Sequence, residues 1–218
     1  ITNGQVPKWL NLKNNKLVLM PHEEFIPRRY LPTFSSHPIE LNIHNIPGLA
    51  EHFVYFNDDT FIINKIDKTD FFRHSLPCDM AVLTPIVPRG DIQNIVLNDL
   101  KCINKKYSIR KTIKNKKWFS PFYGIDILRN IIFGIWPYFI GFRTQHMPNA
   151  YLKQTFKDVW HEFYDVLDAT CMHKFRDIRD VNHWLMQYWQ ICSNTFYPYK
   201  KHGAYIELQK CNEFVMFL

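Results

Sequence analysis

The run Phe53-Val54-Tyr55-Phe56 is continuously apolar, has the length of a strand, and stops abruptly at Asn57-Asp58-Asp59. An unbroken apolar run of this length, closed by turn residues, predicts a strand covered on both faces. Upstream, Ser36 is placed to cap a helix whose first turn tolerates Pro38. Ile39, Ile43 and Ile46 follow at helical spacing until Pro47-Gly48 ends it. Before that helix, Lys16 to Met20 reads as a short buried strand. Strand, helix, strand predicts a parallel βαβ unit with a right-handed crossover, and so an α/β, Rossmann-like fold with a mostly parallel sheet.

Further along, Thr60 to Ile63 reads as extended and Ala81 to Val87 as another strand or an edge segment. Asp91 suits a helix cap, ahead of Ile92, Ile95, Val96, Leu100, Ile103 and Tyr107 at helical spacing. Trp118 to Gly141 carries no clear period. From Asn149, the spacing of Leu152, Phe156, Val159, Trp160, Phe163, Val166 and Leu167 predicts one amphipathic helix. A second, near Asp180, buries Val181, Trp184, Leu185, Tyr188 and Cys192, with Trp189 also assigned to the core. The expected organisation over 1–218 is a single catalytic-type domain, with a βαβ core in 1–90 and a mainly helical part in 91–218. With 46% apolar residues the chain can fill one core, which excludes intrinsic disorder. The longest apolar stretch, Ile131 to Phe142, is shorter than the roughly 20 residues a spanning helix needs.

Charge is concentrated. Residues 101–117 hold eight of the 27 basic residues (Lys101, Lys105, Lys106, Arg110, Lys111, Lys114, Lys116 and Lys117) and none of the 20 acidic ones. That segment is either a solvated helix face or a contact for an anionic partner: nucleic acid, phosphate-bearing lipid or glycan, or acidic headgroups. The five cysteines (Cys78, Cys102, Cys171, Cys192 and Cys211) are scattered, without a C-x-x-C pair, and no basic apolar leader opens the chain. Both features point to a reducing, cytoplasmic setting and a bacterial source.

Several residues are candidates for chemistry. Asn57-Asp58-Asp59 lies where open parallel sheets bind ligands, and two adjacent carboxylates suit one Mg²⁺ with a phosphate completing its shell. The same residues equally suit a plain strand-to-turn transition. Glu40, on the helix of the same unit, is either a metal or substrate contact, a general base, or a surface glutamate. His44 shares its helix face. His146, one of ten histidines, can take a proton from a hydroxyl at neutral pH. Arg176 offers a planar fork to phosphate, or else pairs with Asp177 or Asp180. No G-x-x-x-x-G-K-[ST] loop, G-x-G-x-x-G turn, G-x-S-x-G elbow or H-E-x-x-H pair is present.

Taken in order, Ile1 to Leu10, Tyr30-Leu31-Pro32-Thr33-Phe34-Ser35-Ser36, Ile39-Glu40, His44-x-Ile46-Pro47-Gly48-Leu49 and Phe56-Asn57-Asp58-Asp59 closely resemble the second conserved region of the Stealth sugar-phosphate transferases. His146-Met147-Pro148 and Phe175-Arg176 resemble the third. Ser35 stands where the family often has asparagine. The resemblance implies transfer of a hexose- or N-acetylhexosamine-1-phosphate from a UDP-sugar to a hydroxyl of a glycan or lipid-linked glycan, in capsular or cell-surface polysaccharide synthesis, releasing UMP. It further implies Asp58 and Asp59 as ligands for Mg²⁺ or Mn²⁺, with His146, Glu40 and Asp59 catalytic and His146 the base. Asn57, Arg176, Ser36 and His44 would contact substrate, with Arg176 on a phosphate. Nucleic acid is not among the implied partners, and Lys101 to Lys117 would meet a membrane surface. The family's first and last regions are expected before Ile1 and after Leu218, so the segment reads as an incomplete enzyme. Two rival readings are a metal-dependent glycosyltransferase releasing UDP and a non-catalytic anion-binding module acting through the basic segment.

Overall fold

The computed structural model describes residues 1–200 and 203. Among them run α1 (Ser36–Asn42), β1 (His52–Tyr55), β2 (Phe72–Arg73), β3 (Leu76–Asp79), α2 (Asp91–Lys106) and α3 (Ile109–Thr112). There follow α4 (Ile127–Phe133), β4 (Asn149–Leu152), α5 (Lys153–Glu162), α6 (Tyr164–Met172), α7 (Trp184–Cys192) and β5 (Tyr197–Pro198). The architecture is mixed α/β, but the sheets are small: β1 pairs with β4, and β2, β3 and β5 form a second ribbon. Cys211 falls outside the described residues.

The parallel βαβ unit is not what forms. Residues 16–20 are not a strand; the chain there makes only an isolated bridge between Thr2 and Pro21. The apolar run is β1 as expected, yet its partner is β4, antiparallel, with Tyr55 opposite Asn149 and His52 opposite Leu152. The one parallel pairing among the named strands is β3 with β5. The strand is not covered on both faces: Phe53 is buried against Tyr151 of β4 and Phe156 of α5, whereas Val54 and Tyr55 are half-buried and His52 and Phe56 exposed. An apolar run of this length reports extended backbone, not how far it is covered.

Other boundaries also move. Ser35, not Ser36, caps α1, its side chain accepting from the His37 N–H at 3.3 Å. Gly90 occupies the cap of α2 and Asp91 its first turn. Residues 60–63 are irregular, whereas 81–87 run as an edge segment against 140–143, through the antiparallel Leu83–Phe142 bridge and bonds from Thr84 N to the Gly141 carbonyl, Ile86 N to the Ile140 carbonyl and Arg143 N to the Val82 carbonyl. The long helix expected from Asn149 is instead β4, α5 and α6, broken at Phe163, whose φ of −121° and ψ of 36° are not helical.

The centre of the molecule is α7. Leu185 through Cys192 are all buried, because α2 packs on one side of it and α5 and β4 on others. Two glutamines survive there because each is tied down. Gln190 Oε1 accepts from Leu152 N at 3.0 Å, and its Nε2 donates to the Ala150 carbonyl at 3.2 Å; Gln187 donates to Asp79 Oδ1 at 3.0 Å. Tyr188 and Trp189 belong to this core, as their spacing suggests.

Candidate active site

Antiparallel pairing of β1 and β4 sets the site. It places the exit of β1, Asn57 to Asp59, at the same end as the entry to β4, which His146 precedes by three residues. Asn57 Nδ2 lies 2.7 Å from His146 Nε2, and Asp59 Oδ1 lies 3.6 Å from His146 Nδ1. With the Asn57 amide donating to Nε2, the ring proton sits on Nδ1, facing the Asp59 carboxylate. The loop is closed by Thr60, whose N–H and hydroxyl both reach back to the Asn57 carbonyl, at 3.3 and 2.8 Å. His146, Asp58 and Asp59 are exposed, so the group is open to a ligand.

Glu40 lies behind β1 and is buried. Its carboxylate faces the Tyr55 hydroxyl at 3.4 Å and the His183 N–H at 3.5 Å. Burial, and then the Glu40 charge, push the Tyr55 phenol well above its ordinary range, so this hydroxyl stays protonated and donates. His183 joins the Tyr55 ring at 4.9 Å between centroids and takes the Tyr151 hydroxyl at Nδ1, 2.7 Å away. Asp99 completes the layer: fully buried, it accepts from Asn182 N at 3.1 Å, and burial pushes its carboxyl well above the ordinary carboxylate range. Sequence reasoning passed over Tyr55, His183 and Asp99. Asp99 carried a signal, since it falls on the apolar stripe of α2 between Val96 and Ile103.

Arg176 is exposed on the segment 173–180, which is fastened to the entry of α1. Phe34 N donates to the Lys174 carbonyl at 2.8 Å, and Phe34 stacks on Phe175 with centroids 5.2 Å apart. Beneath, Asp180 takes His37 at 2.9 Å and His173 at 2.6 Å. Arg176 therefore does not pair with Asp180, and Asp177 is gripped by Arg179 at 2.8 Å. Ser36 stands in the first turn of α1. His44 faces α5, stacked on Phe156 at 5.8 Å and beside Trp160 at 6.2 Å. Among the described residues, close polar contacts join Asn57, Asp59 and His146 into one group; Ser36, His44 and Arg176 stand outside it.

Two places can be considered for a cation. Asp58 and Asp59 offer adjacent, exposed oxygen donors with room for further ligands, a set that fits Mg²⁺ or Mn²⁺. His173, Asp177 and Asp180 also bring three ligand atoms within 4.8 Å of one another, but those atoms already serve each other, His37 and Arg179.

Residues 1–78 match the profile described as Stealth protein CR2, conserved region 2. The chain is 41% identical over 201 residues to the capsular polysaccharide phosphotransferase WcwK of Streptococcus pneumoniae, covering 91% of this chain and 60% of that protein. It is 39% identical over 199 residues to the receptor polysaccharide phosphotransferase WefC of Streptococcus oralis, covering 90% and 60%. It is 36% identical over 201 residues to an exopolysaccharide phosphotransferase of Lactiplantibacillus plantarum, covering 91% and 60%. The chain thus spans about three fifths of the length of these relatives. Residues 1–78 thus match the second conserved region of the Stealth proteins, and the chain is similar along about nine-tenths of its length to these polysaccharide phosphotransferases.

Proposed function

We propose that the chain is the greater part of a phosphotransferase that moves a hexose- or N-acetylhexosamine-1-phosphate from a UDP-sugar to a glycan hydroxyl during synthesis of a bacterial surface polysaccharide. The observation that carries this reading is the placement of His146 between the Asn57 amide and the Asp59 carboxylate. A base needs a free ring nitrogen and a partner for the positive charge it acquires, and Nε2 and Asp59 supply these. An acceptor hydroxyl displaces the Asn57 amide at Nε2 and gives up its proton there. The freed oxygen attacks the β-phosphorus, a new phosphorus–oxygen bond forms, and the bond to the bridging oxygen breaks, releasing UMP. Asn57, turned aside, stays within reach of the acceptor or the phosphate.

Asp58 and Asp59 would hold Mg²⁺ or Mn²⁺, which when bound offsets the diphosphate charge. Arg176 presents its fork to a phosphate from the fastened 173–180 segment, and Ser36 and His44 contribute donor contacts from α1 and the turn after it. Glu40, desolvated and held against Tyr55, fixes the floor on which β1 presents Asn57. Rate enhancement in this reading comes from positioning and electrostatics.

The test is the nucleotide released by the full-length protein with Mg²⁺, a panel of UDP-sugars and a surface glycan acceptor. UMP that disappears in His146→Ala is expected; UDP as product would assign the protein to the glycosyltransferases instead.

A further inference from the structure

α4 is pinned to the core by one face only. Asn130, 1% exposed, donates to the carbonyls of Ala81 and Trp118, each at 2.6 Å, and accepts from Leu83 N at 2.8 Å; Arg129 Nε adds a bond to the Leu83 carbonyl. The opposite face holds Leu128, Ile131 and Ile132 in solvent, and the ridge continues through Ile125 at one end, 80% exposed, and Ile135 and Trp136 at the other, 74% and 51% exposed. Scattered exposed apolar residues are ordinary, whereas a continuous ridge of large ones marks a contact surface.

What lies beside the ridge identifies its occupant. At Gly134 an added Cβ would stand 2.6 Å from Ile113 Cδ1, so the absence of a side chain lets the end of α4 close against the segment that follows α3. α4 also packs on the turn at Lys116–Phe119. Those contacts set the segment that carries Arg110, Lys111, Lys114 and Lys116, all exposed, next to α4. Lys117 is turned inward, to the carbonyls of Asn194 and Phe196. Between Asp99 and Asp158 the one acidic residue is Asp126, which is buried and paired with Arg143 and Lys200.

We propose that this face seats the protein on an anionic lipid surface, with the α4 ridge in the acyl boundary and the flanking basic side chains on the headgroups. A second copy meeting the same face by two-fold symmetry would bring like charges together, whereas a negatively charged bilayer satisfies both the apolar and the cationic parts. Trp136 and Tyr138, apolar rings with a polar edge, suit the interface. No helix of the described residues is long and apolar enough to cross a membrane, so the contact lies on the surface. The inference goes beyond phosphotransfer and does not depend on it.

The experiment is sedimentation of the full-length protein with vesicles of phosphatidylglycerol and phosphatidylcholine, against phosphatidylcholine alone. Binding to the anionic vesicles only is expected. Each basic charge near such a surface changes partitioning by about fivefold, so the triple reversal Lys111→Glu, Lys114→Glu, Lys116→Glu should weaken binding by about 100-fold or more at low salt. The triple variant Ile131→Ser, Ile132→Ser, Ile135→Ser should keep the low-salt attraction and lose the binding that survives high salt. A blue shift of native tryptophan emission on vesicles, absent in Trp136→Phe, gives an independent reading. Indifference of the native protein to anionic vesicles, native-like high-salt binding by the serine variant, no Trp136 shift, or a native dimer that the serine variant splits would each overturn the proposal.

Discussion

Acidification from pH 7 to 4.5 should destabilise the protein through His44. Its ring is packed against Phe156 and Trp160, and burial, with Lys153 and Lys157 nearby, pushes its imidazole down to about 4; the Leu41 carbonyl opposes this only in part. In the unfolded chain the ring titrates at its ordinary 6.5. A group depressed on folding takes up its proton first in the unfolded state, so its stabilisation is complete above pH 6.5 and is lost progressively down to pH 4. The separation of about 2.5 units amounts to about 3 kcal/mol, of which roughly 2 is lost between pH 7 and 4.5. Other groups titrate in the same interval, so the measurement is a double difference: urea unfolding of the native protein and of His44→Gln at both pH values. Native stability should fall by about 2 kcal/mol more than that of the variant. Losses that match within about 0.5 kcal/mol would show that the folded protein accepts a charged His44 at no cost, and the reasoning from burial would fail.

Two further perturbations follow from the same contacts. Asn130→Asp removes both donors to the buried carbonyls of Ala81 and Trp118, and at about 1–3 kcal/mol for each acceptor left unpaired it should lower unfolding stability by about 3–4 kcal/mol, read as a lower urea midpoint at unchanged slope. At Asp180 burial works to raise the carboxyl, but the bonds from His37, Asp177 N–H and His173 outweigh it and hold the group below the ordinary carboxylate range. Asp180→Asn should therefore cost about 3 kcal/mol at neutral pH. Because a carboxylate depressed on folding stabilises above its unfolded pKa and loses that contribution as pH falls through the folded one, the gap to the native protein should narrow below pH 4 in thermal melts.

Apolar runs of strand length, helical periodicity and turn chemistry are local, and those parts were legible. β1, α1, α2 and α7 stand within a few residues of where spacing puts them, and the order of short motifs in residues 1–59 carried the likeness to the second conserved region of the Stealth proteins. Failures arose where a local signal has two spatial meanings. Leu152 to Leu167 keeps a helical spacing across Phe163, where the backbone breaks, because the interval of apolar residues does not record φ and ψ. The absence of period in Trp118 to Gly141 concealed α4, whose outward face is apolar.

The sequence by itself determined which side chains are available for chemistry: Asn57, Asp58 and Asp59 closing an apolar strand, a histidine before the next ordered segment, and a basic stretch empty of acids. Only the tertiary structure decided their partners. Pairing direction is a long-range choice made by the helices that cover β1 and β4, and it turned an expected parallel unit into an antiparallel pair. That choice set residues 57 and 146, separated by 89 positions, at 2.7 Å. It likewise took the close approach at Gly134 to bring the segment that carries the basic stretch against α4.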